Sequence, residues 1–167
     1  MKRMTSRRPR LPSRVLIGLI SDTHGLIRPE ALEALRGSDL IIHCGDVGDP
    51  VVLEALGTLA PVRAIRGNND RGPWTNRLPP QDLVEVGEHV IRVLHNLAEL
   101  DPDTEYVGLT AIVFGHSHKA LIERRGGVLF INPGSAGPRR FKLPVTVATL
   151  ALRSGRRCEA KIVPLSV

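Results

Sequence analysis

The chain has 167 residues, 42% hydrophobic and 24% charged, with mean hydropathy near zero. This composition fits one soluble globular domain and excludes a wholly disordered, collagen-like or coiled-coil chain. The formal net charge is +6, yet six basic residues and no acidic one lie in residues 1–14. The other 17 basic residues match the 17 acidic ones, so the remainder is formally neutral. Aromatic residues make up only 3%, which argues against a nucleic-acid platform built on base stacking.

Residues 1–14 carry Lys2, Arg3, Arg7, Arg8, Arg10 and Arg14 together with Pro9 and Pro12. Such a segment has too little apolar surface to offset ordering entropy and is expected to be a disordered basic tail. Residues 15–167 are then expected to form a single domain. An apolar run at 15–20 reads as a buried strand; it is too short for a membrane span or a signal-peptide core. Pro29 opens a helical pattern through PEALEALR, since proline suits a first helical position. Residues 39–43 read as a second buried strand, Pro50 opens a second helix, and 62–65 read as a third strand. That alternation implies parallel pairing through right-handed crossovers.

The pattern then changes. Residues 66–80 are a loop rich in Gly, Asn and Pro, and 83–86 and 90–94 flank Gly87-Glu88 as a hairpin. A short helix is expected within 97–107, a buried strand at 111–114, and a second hairpin at 121–124 and 128–131 around Gly126-Gly127. Residues 145–152 and 159–165 form a closing antiparallel pair. The expected architecture is α/β: two packed mixed β-sheets flanked by helices, an α/β/β/α sandwich.

Polar residues gather where the apolar strands end. Strand one runs into Ser21-Asp22-Thr23-His24, strand two into Cys44-Gly45-Asp46-Val47-Gly48-Asp49, and strand three into Gly67-Asn68-Asn69-Asp70. Two later strands end in His95-Asn96 and in Gly115-His116-Ser117-His118. Ligands of open α/β sheets bind outside the carboxyl ends of the strands. Imidazole and carboxylate together suit divalent transition ions, and no thiolate pattern demands structural zinc. Asp22 and His24 can reach one ion only if the chain kinks there, which Gly25 permits. Asp22, His24, Asp46, Asn68, His95, His116 and His118 make seven ligands, too many for one tetrahedral ion and suited to two ions sharing a bridging carboxylate.

The series Asp22-x-His24, Gly45-Asp46-x-x-Asp49, Gly67-Asn68-x-Asp70, His95 and Gly115-His116-x-His118 resembles the calcineurin-like metallophosphoesterase superfamily. The small size and Ile131-Asn132-Pro133-Gly134-Ser135 resemble its compact prokaryotic phosphodiesterase branch. The resemblance covers roughly residues 15–165. It implies that Asp22, His24, Asp46 and His118 hold a first ion, that Asp46 bridges, and that Asn68, His95 and His116 hold the second. It also implies a bridging hydroxide that attacks phosphorus in line, two divalent ions with Mn favoured over Fe, Zn, Ni or Co, and a small phosphoester as substrate.

Two departures stand out. Many members have His after the Asn of the third motif, where it assists the leaving group. Here that catalytic position is Asn69, beside Asn68, and it has no acidic proton. The branch also often continues its equivalent of His95 with Gly-His, whereas Asn96-Leu97 follow here. Asp49 is expected to cap the helix opened by Pro50, Asp70 to orient its own loop, His43 to be core or to support the ligands, and His89 to be exposed. Arg139 is a candidate substrate-binding residue, with Arg140 beside it, because arginine clamps phosphate well.

The function expected is metal-dependent phosphodiester hydrolysis. The alternatives are a phosphomonoesterase, or a non-enzymatic interaction scaffold on the same fold; such a scaffold would not need all seven ligand positions. A nuclease would benefit from a basic groove that the charge-neutral body lacks, so nucleic-acid contact is expected only as a weak one through the tail. Cys44 and Cys158 make no disulfide framework, which suits a reducing cytoplasm. No membrane partner is expected, and a homo-oligomer is left open.

Overall fold

A computed structural model describes residues 12–101, 103, 106 and 108–167. Most of the basic tail, residues 1–11, lies outside the described residues, and so does the expectation of disorder there.

Ten strands and two α-helices follow in the order β1 (Val15–Ile20), α1 (Pro29–Leu35), β2 (Leu40–His43), α2 (Pro50–Gly57), β3 (Val62–Ala64), β4 (Gln81–Val86), β5 (His89–Leu94), β6 (Ala111–Val113), β7 (Leu121–Arg125), β8 (Val128–Asn132), β9 (Thr146–Leu152) and β10 (Glu159–Pro164). They build two five-stranded mixed sheets, β10-β9-β1-β2-β3 and β4-β5-β6-β8-β7. The β1–β2–β3 segment is parallel and joined by the two helices, as crossover connections require. Both helices begin with proline. The Asp49 carboxylate accepts the Val51 amide and caps α2.

The sheets pack face to face. Ile17, Leu19 and Ile42 of the first meet Ile91, Val93, Val113 and Ile131 of the second in one apolar cluster. Both helices cover the outer face of the first sheet through Ala31, Leu35, Val52 and Leu56. The outer face of the second sheet carries Phe130, Ile112 and Leu94, covered by Leu97, Leu100 and Leu109. Among the described residues of the stretch expected to be helical, 97–107, Leu97–Glu99 form a 3-10 turn capped by the Asn96 side chain. Leu97 and Leu100 pack from this turn on the outer face of the second sheet.

His89 corrects another expectation. Although it follows the Gly87-Glu88 turn, it is buried, because the β9–β10 turn folds over it and the Arg153 carbonyl takes a hydrogen bond from its ring at 3.1 Å.

Candidate metal centre

Strands β1, β2, β3, β5 and β6 all deliver their carboxyl ends to one pole of the sandwich. There the backbone takes an uncommon form. Among the described residues, six non-glycine residues have left-handed φ, and five are Asp22 (55°), His24 (48°), Asp46 (53°), His116 (70°) and His118 (61°). Each such residue costs about 1–3 kcal/mol and persists only where its surroundings hold it. The kink needed for Asp22 and His24 to converge is therefore made by those two residues themselves as well as by Gly25 (φ 84°). Glycine serves a different need at two other places. A Cβ on Gly67 would strike the Asp46 amide and carboxylate, and one on Gly115 would strike the Ser21 hydroxyl and approach the Asp22 carboxylate. The motif glycines thus let β3 and β6 bring their loops against the two aspartates.

Asp22 is anchored through one carboxylate oxygen and Asp46 through both. Asp22 Oδ2 accepts the Ser21 hydroxyl at 2.7 Å and the His116 amide at 3.1 Å. Its other oxygen, Oδ1, is buried without a hydrogen-bond partner. Around Oδ1 stand Nε2 of His118 at 3.3 Å, of His95 at 3.8 Å and of His24 at 4.0 Å. Asp46 Oδ1 accepts the Asn69 amide at 2.8 Å and Oδ2 accepts the Asn69 side-chain amide at 2.9 Å. Oδ2 also faces Nε2 of His95 at 3.3 Å and of His24 at 3.9 Å.

The His95 tautomer follows from its neighbours. The Cys44 carbonyl, 2.7 Å from Nδ1, can only accept, so Nδ1 carries the proton. The Nε2 lone pair then points at carboxylate oxygens, and Nε2 is buried and unpartnered. An acceptor facing acceptors in a buried pocket is unfavourable unless a cation lies between them. A proton can serve that purpose. Burial opposes charge on His95, but the Asp46 carboxylate, the Cys44 carbonyl and Asp22 outweigh it, and its pKa is raised. Burial likewise opposes ionisation of Asp46, and contacts from His95 and Asn69 outweigh it, holding the carboxyl well below the usual range.

Two trios could each hold a metal ion: Asp22, His24 and His118, and Asp22, Asp46 and His95, with ligand atoms mutually within 4.8 Å. Asp22 belongs to both, while Asp46 Oδ2 reaches a ring of each. Asn68 and His116 lie beside them, the His116 ring nitrogen 3.2 Å from Asn68 Oδ1, and the His116 ring packs edge-on to His95 with centroids 5.3 Å apart. Asn69 turns to Asp46. Arg139 turns away, donating to the Val167 carbonyl at 3.0 Å, whereas the charge of Arg140 is felt at His24.

Supporting residues complete the pole. Asp70 is buried and its two oxygens accept the amides of Gly48 and Gly67 at 2.9 and 2.8 Å, tying the loops after β2 and β3 together. Ser135 donates its hydroxyl to the Asp22 carbonyl at 3.0 Å. His43 is fully buried. Thr23 donates its hydroxyl to the Val47 carbonyl, so it can only accept from His43 Nε2 at 3.0 Å, and His43 Nδ1 accepts the Gly45 amide at 3.2 Å. Ser21, Thr23 and Ser135 carried no assigned role in the sequence; the signals were the adjacency of Ser21 and Thr23 to Asp22 and the place of Ser135 in the Asn132-Pro133-Gly134-Ser135 segment.

His43 makes the fold pH-sensitive. Burial pushes its pKa down from 6.5 to about 4. Below 6.5 the unfolded chain binds a proton that the folded chain refuses, so stability present above that pH is lost as pH falls towards 4. The loss from this one group is about 3 kcal/mol. Denaturant titrations in chelator at pH 7 and pH 4 should show a decline smaller by about that amount in His43→Gln than in the unmodified protein. Equal declines would show that His43 does not govern it.

Residues 15–155 match the family model described as the calcineurin-like phosphoesterase superfamily domain. A probable metallophosphoesterase of Methanocaldococcus jannaschii is 34% identical over 164 residues, covering 90% of this chain and 82% of its own. One from Methanothermobacter thermautotrophicus is 34% identical over 162 residues, covering 89% and 92%. Among solved structures, one titled as a novel archaeal phosphodiesterase superposes with a TM-score of 0.75 at 24% identity, covering 90% of this chain and all of that one. Vacuolar Protein Sorting 29 of Cryptosporidium parvum superposes with a TM-score of 0.71 at 20% identity, covering 93% and 100%. The chain belongs to the calcineurin-like phosphoesterase superfamily. Its fold is that of the metallophosphoesterases, and it carries groups of Asp and His able to hold metal. Among the described residues no helix is long and apolar enough to cross a membrane.

Proposed function

We propose that this protein is a dinuclear metal-dependent phosphodiesterase acting on small phosphodiesters. The observation that carries the reading is the set of buried, partnerless acceptors, Asp22 Oδ1 and His95 Nε2, converging with His24, His118 and Asp46. Asp22, His24, Asp46 and His118 would hold one ion, and Asp46, Asn68, His95 and His116 the other, with Asp46 shared. Two divalent ions bound there supply Lewis-acid stabilisation of charge on phosphorus and its oxygens, and a nucleophile at neutral pH. The donor set of imidazole and carboxylate suits manganese, iron, zinc, nickel and cobalt alike, and the family resemblance puts manganese first among them.

The chain's own residues do the rest. Ser21 and the His116 amide fix Asp22 so that one oxygen remains free, and Asn69 fixes Asp46. The Cys44 carbonyl holds the His95 proton on Nδ1 and aims Nε2 into the site. Arg140, whose charge is felt at His24, is the arginine that would meet the substrate's phosphate oxygens, while Arg139 donates to the Val167 carbonyl. A relative 26% identical over 136 residues, covering 71% of this chain, is named a phosphodiesterase, which favours the diester over the monoester.

Chelation tests this directly. Treatment with EDTA should abolish hydrolysis of an aryl phosphodiester, and Mn²⁺ should restore it, with about two equivalents bound by elemental analysis. Full activity in a preparation shown to be metal-free would refute a metal-dependent mechanism. Activity on monoesters alone would leave the centre standing and replace the diesterase reading.

A further inference from the structure

The opposite pole carries a cavity lined by arginines. It is an open cavity of about 500 Å³, lined by Ser13, Arg14, Arg153, Ser154 and Arg156. Val15 pairs with Leu152 across β1 and β9, so Arg14 and Arg153 occupy the next facing positions beyond that pair. Like charges facing across an antiparallel pair repel. Among the described residues no carboxylate lies within ion-pairing distance of Arg14, Arg153 or Arg156, whereas Arg36, Arg63 and Arg125 each meet an acid.

The turn that presents these arginines is held from beneath. Buried His89 donates to the Arg153 carbonyl at 3.1 Å, and its Nδ1 faces the Thr110 hydroxyl at 3.1 Å and the Cys158 sulfur at 3.7 Å. Glu88 accepts the Gly155 amide at 3.2 Å, so this carboxylate is engaged by the backbone of the turn. Just upstream of the cavity wall the chain carries Lys2, Arg3, Arg7, Arg8 and Arg10. The whole length of β1 separates Arg14 from Asp22, roughly 25 Å at 3.3 Å per residue, so this cavity is no extension of the metal centre.

We propose that this cavity binds clustered phosphates: a polyphosphate group, or neighbouring phosphates of a nucleic-acid backbone. Three guanidinium forks with two hydroxyls match the donor needs of adjacent phosphates, and the volume suits a small phosphorylated group. With no aromatic residue in the lining, recognition is of phosphate and not of base.

The test titrates full-length protein with tripolyphosphate and, separately, with a single-stranded thymidine dodecamer, by calorimetry at two salt concentrations. The proteins are the unmodified chain, Arg14→Gln/Arg153→Gln/Arg156→Gln, and Asp46→Ala. The triple variant should lose about 100-fold in affinity for at least one probe while hydrolysing an aryl phosphodiester at the unmodified rate. Asp46→Ala should keep the binding and lose hydrolysis. The stronger probe identifies the source: tripolyphosphate for a compact polyphosphate, the dodecamer for a backbone. If the triple variant misfolds, Arg156→Gln alone, on an exposed turn, should lose roughly tenfold. Affinities for both probes unchanged by the arginine substitutions, or binding lost only in Asp46→Ala, would overturn the proposal.

Discussion

Asp46→Ala should lose both metal ions and at least about 10³-fold in hydrolysis, since a bound ion is worth several kcal/mol of transition-state stabilisation. The reason is position. Asp46 Oδ2 lies 3.3 Å from His95 Nε2 and 3.9 Å from His24 Nε2, one ring from each candidate trio. Removing it takes a ligand from both ions and leaves the Asn69 amide donors unengaged. His95→Ala should be milder: one ion keeps Asp22, His24, Asp46 and His118, and Asn68 with His116 still offers the second a partial set. Metal content by elemental analysis is the deciding readout, with thermal unfolding to confirm that both variants fold. Asp22→Ala is the informative third variant, because Asp22 Oδ1 is common to both trios. Loss of both ions there, with one retained in Asp46→Ala, would move the bridging role to Asp22.

The rate should depend steeply on leaving-group pKa, with aryl diesters far preferred over alkyl diesters. General acid assistance is worth roughly 10²–10⁴-fold. At the position where the family resemblance implies His in many members stands Asn69, an amide without an acidic proton, and its Nδ2 donates to Asp46 Oδ2 at 2.9 Å. Charge on the departing oxygen is then unrelieved by proton transfer from that residue. Asn69→His should flatten the dependence even while it lowers the overall rate through loss of the contact to Asp46, because slope and absolute rate are separate readouts. A series of diesters differing only in leaving-group pKa, run on both proteins, decides it. A shallow slope in the unmodified protein would mean that another residue already supplies the proton.

Much of the architecture was legible in the chain itself. The runs at 15–20 and 39–43 are continuous apolar stretches because a parallel strand between two layers is buried on both faces. Pro29 and Pro50 mark helix starts because proline lacks the amide that a first turn leaves unpaired. The five polar clusters were readable for a related reason: once the strands are parallel, their carboxyl ends must share one pole. Where a helix was expected from 97, Leu97–Glu99 form a 3-10 turn, because Leu97 and Leu100 can cover a sheet from such a turn at a spacing that also suits a helix face.

Order along the chain thus determined the layers, the common pole and the residue types gathered there. Only tertiary structure decided how those residues meet. The left-handed backbone at Asp22, His24, Asp46, His116 and His118 has no local signature, and Gly67 and Gly115 pack against Asp46 and against Ser21 and Asp22 from the loops after β3 and β6. The His95 tautomer depends on a carbonyl 51 positions away in sequence. The turning of Asn69 to Asp46 and of Arg139 to Val167, and the burial of His89 beneath Arg153, depend on segments far apart in the chain. Periodicity and propensity act over a few residues, so they register strands, helices and turns. The direction of a hydrogen bond, or a cavity between arginines at 14, 153 and 156, arises only when distant segments close on one another.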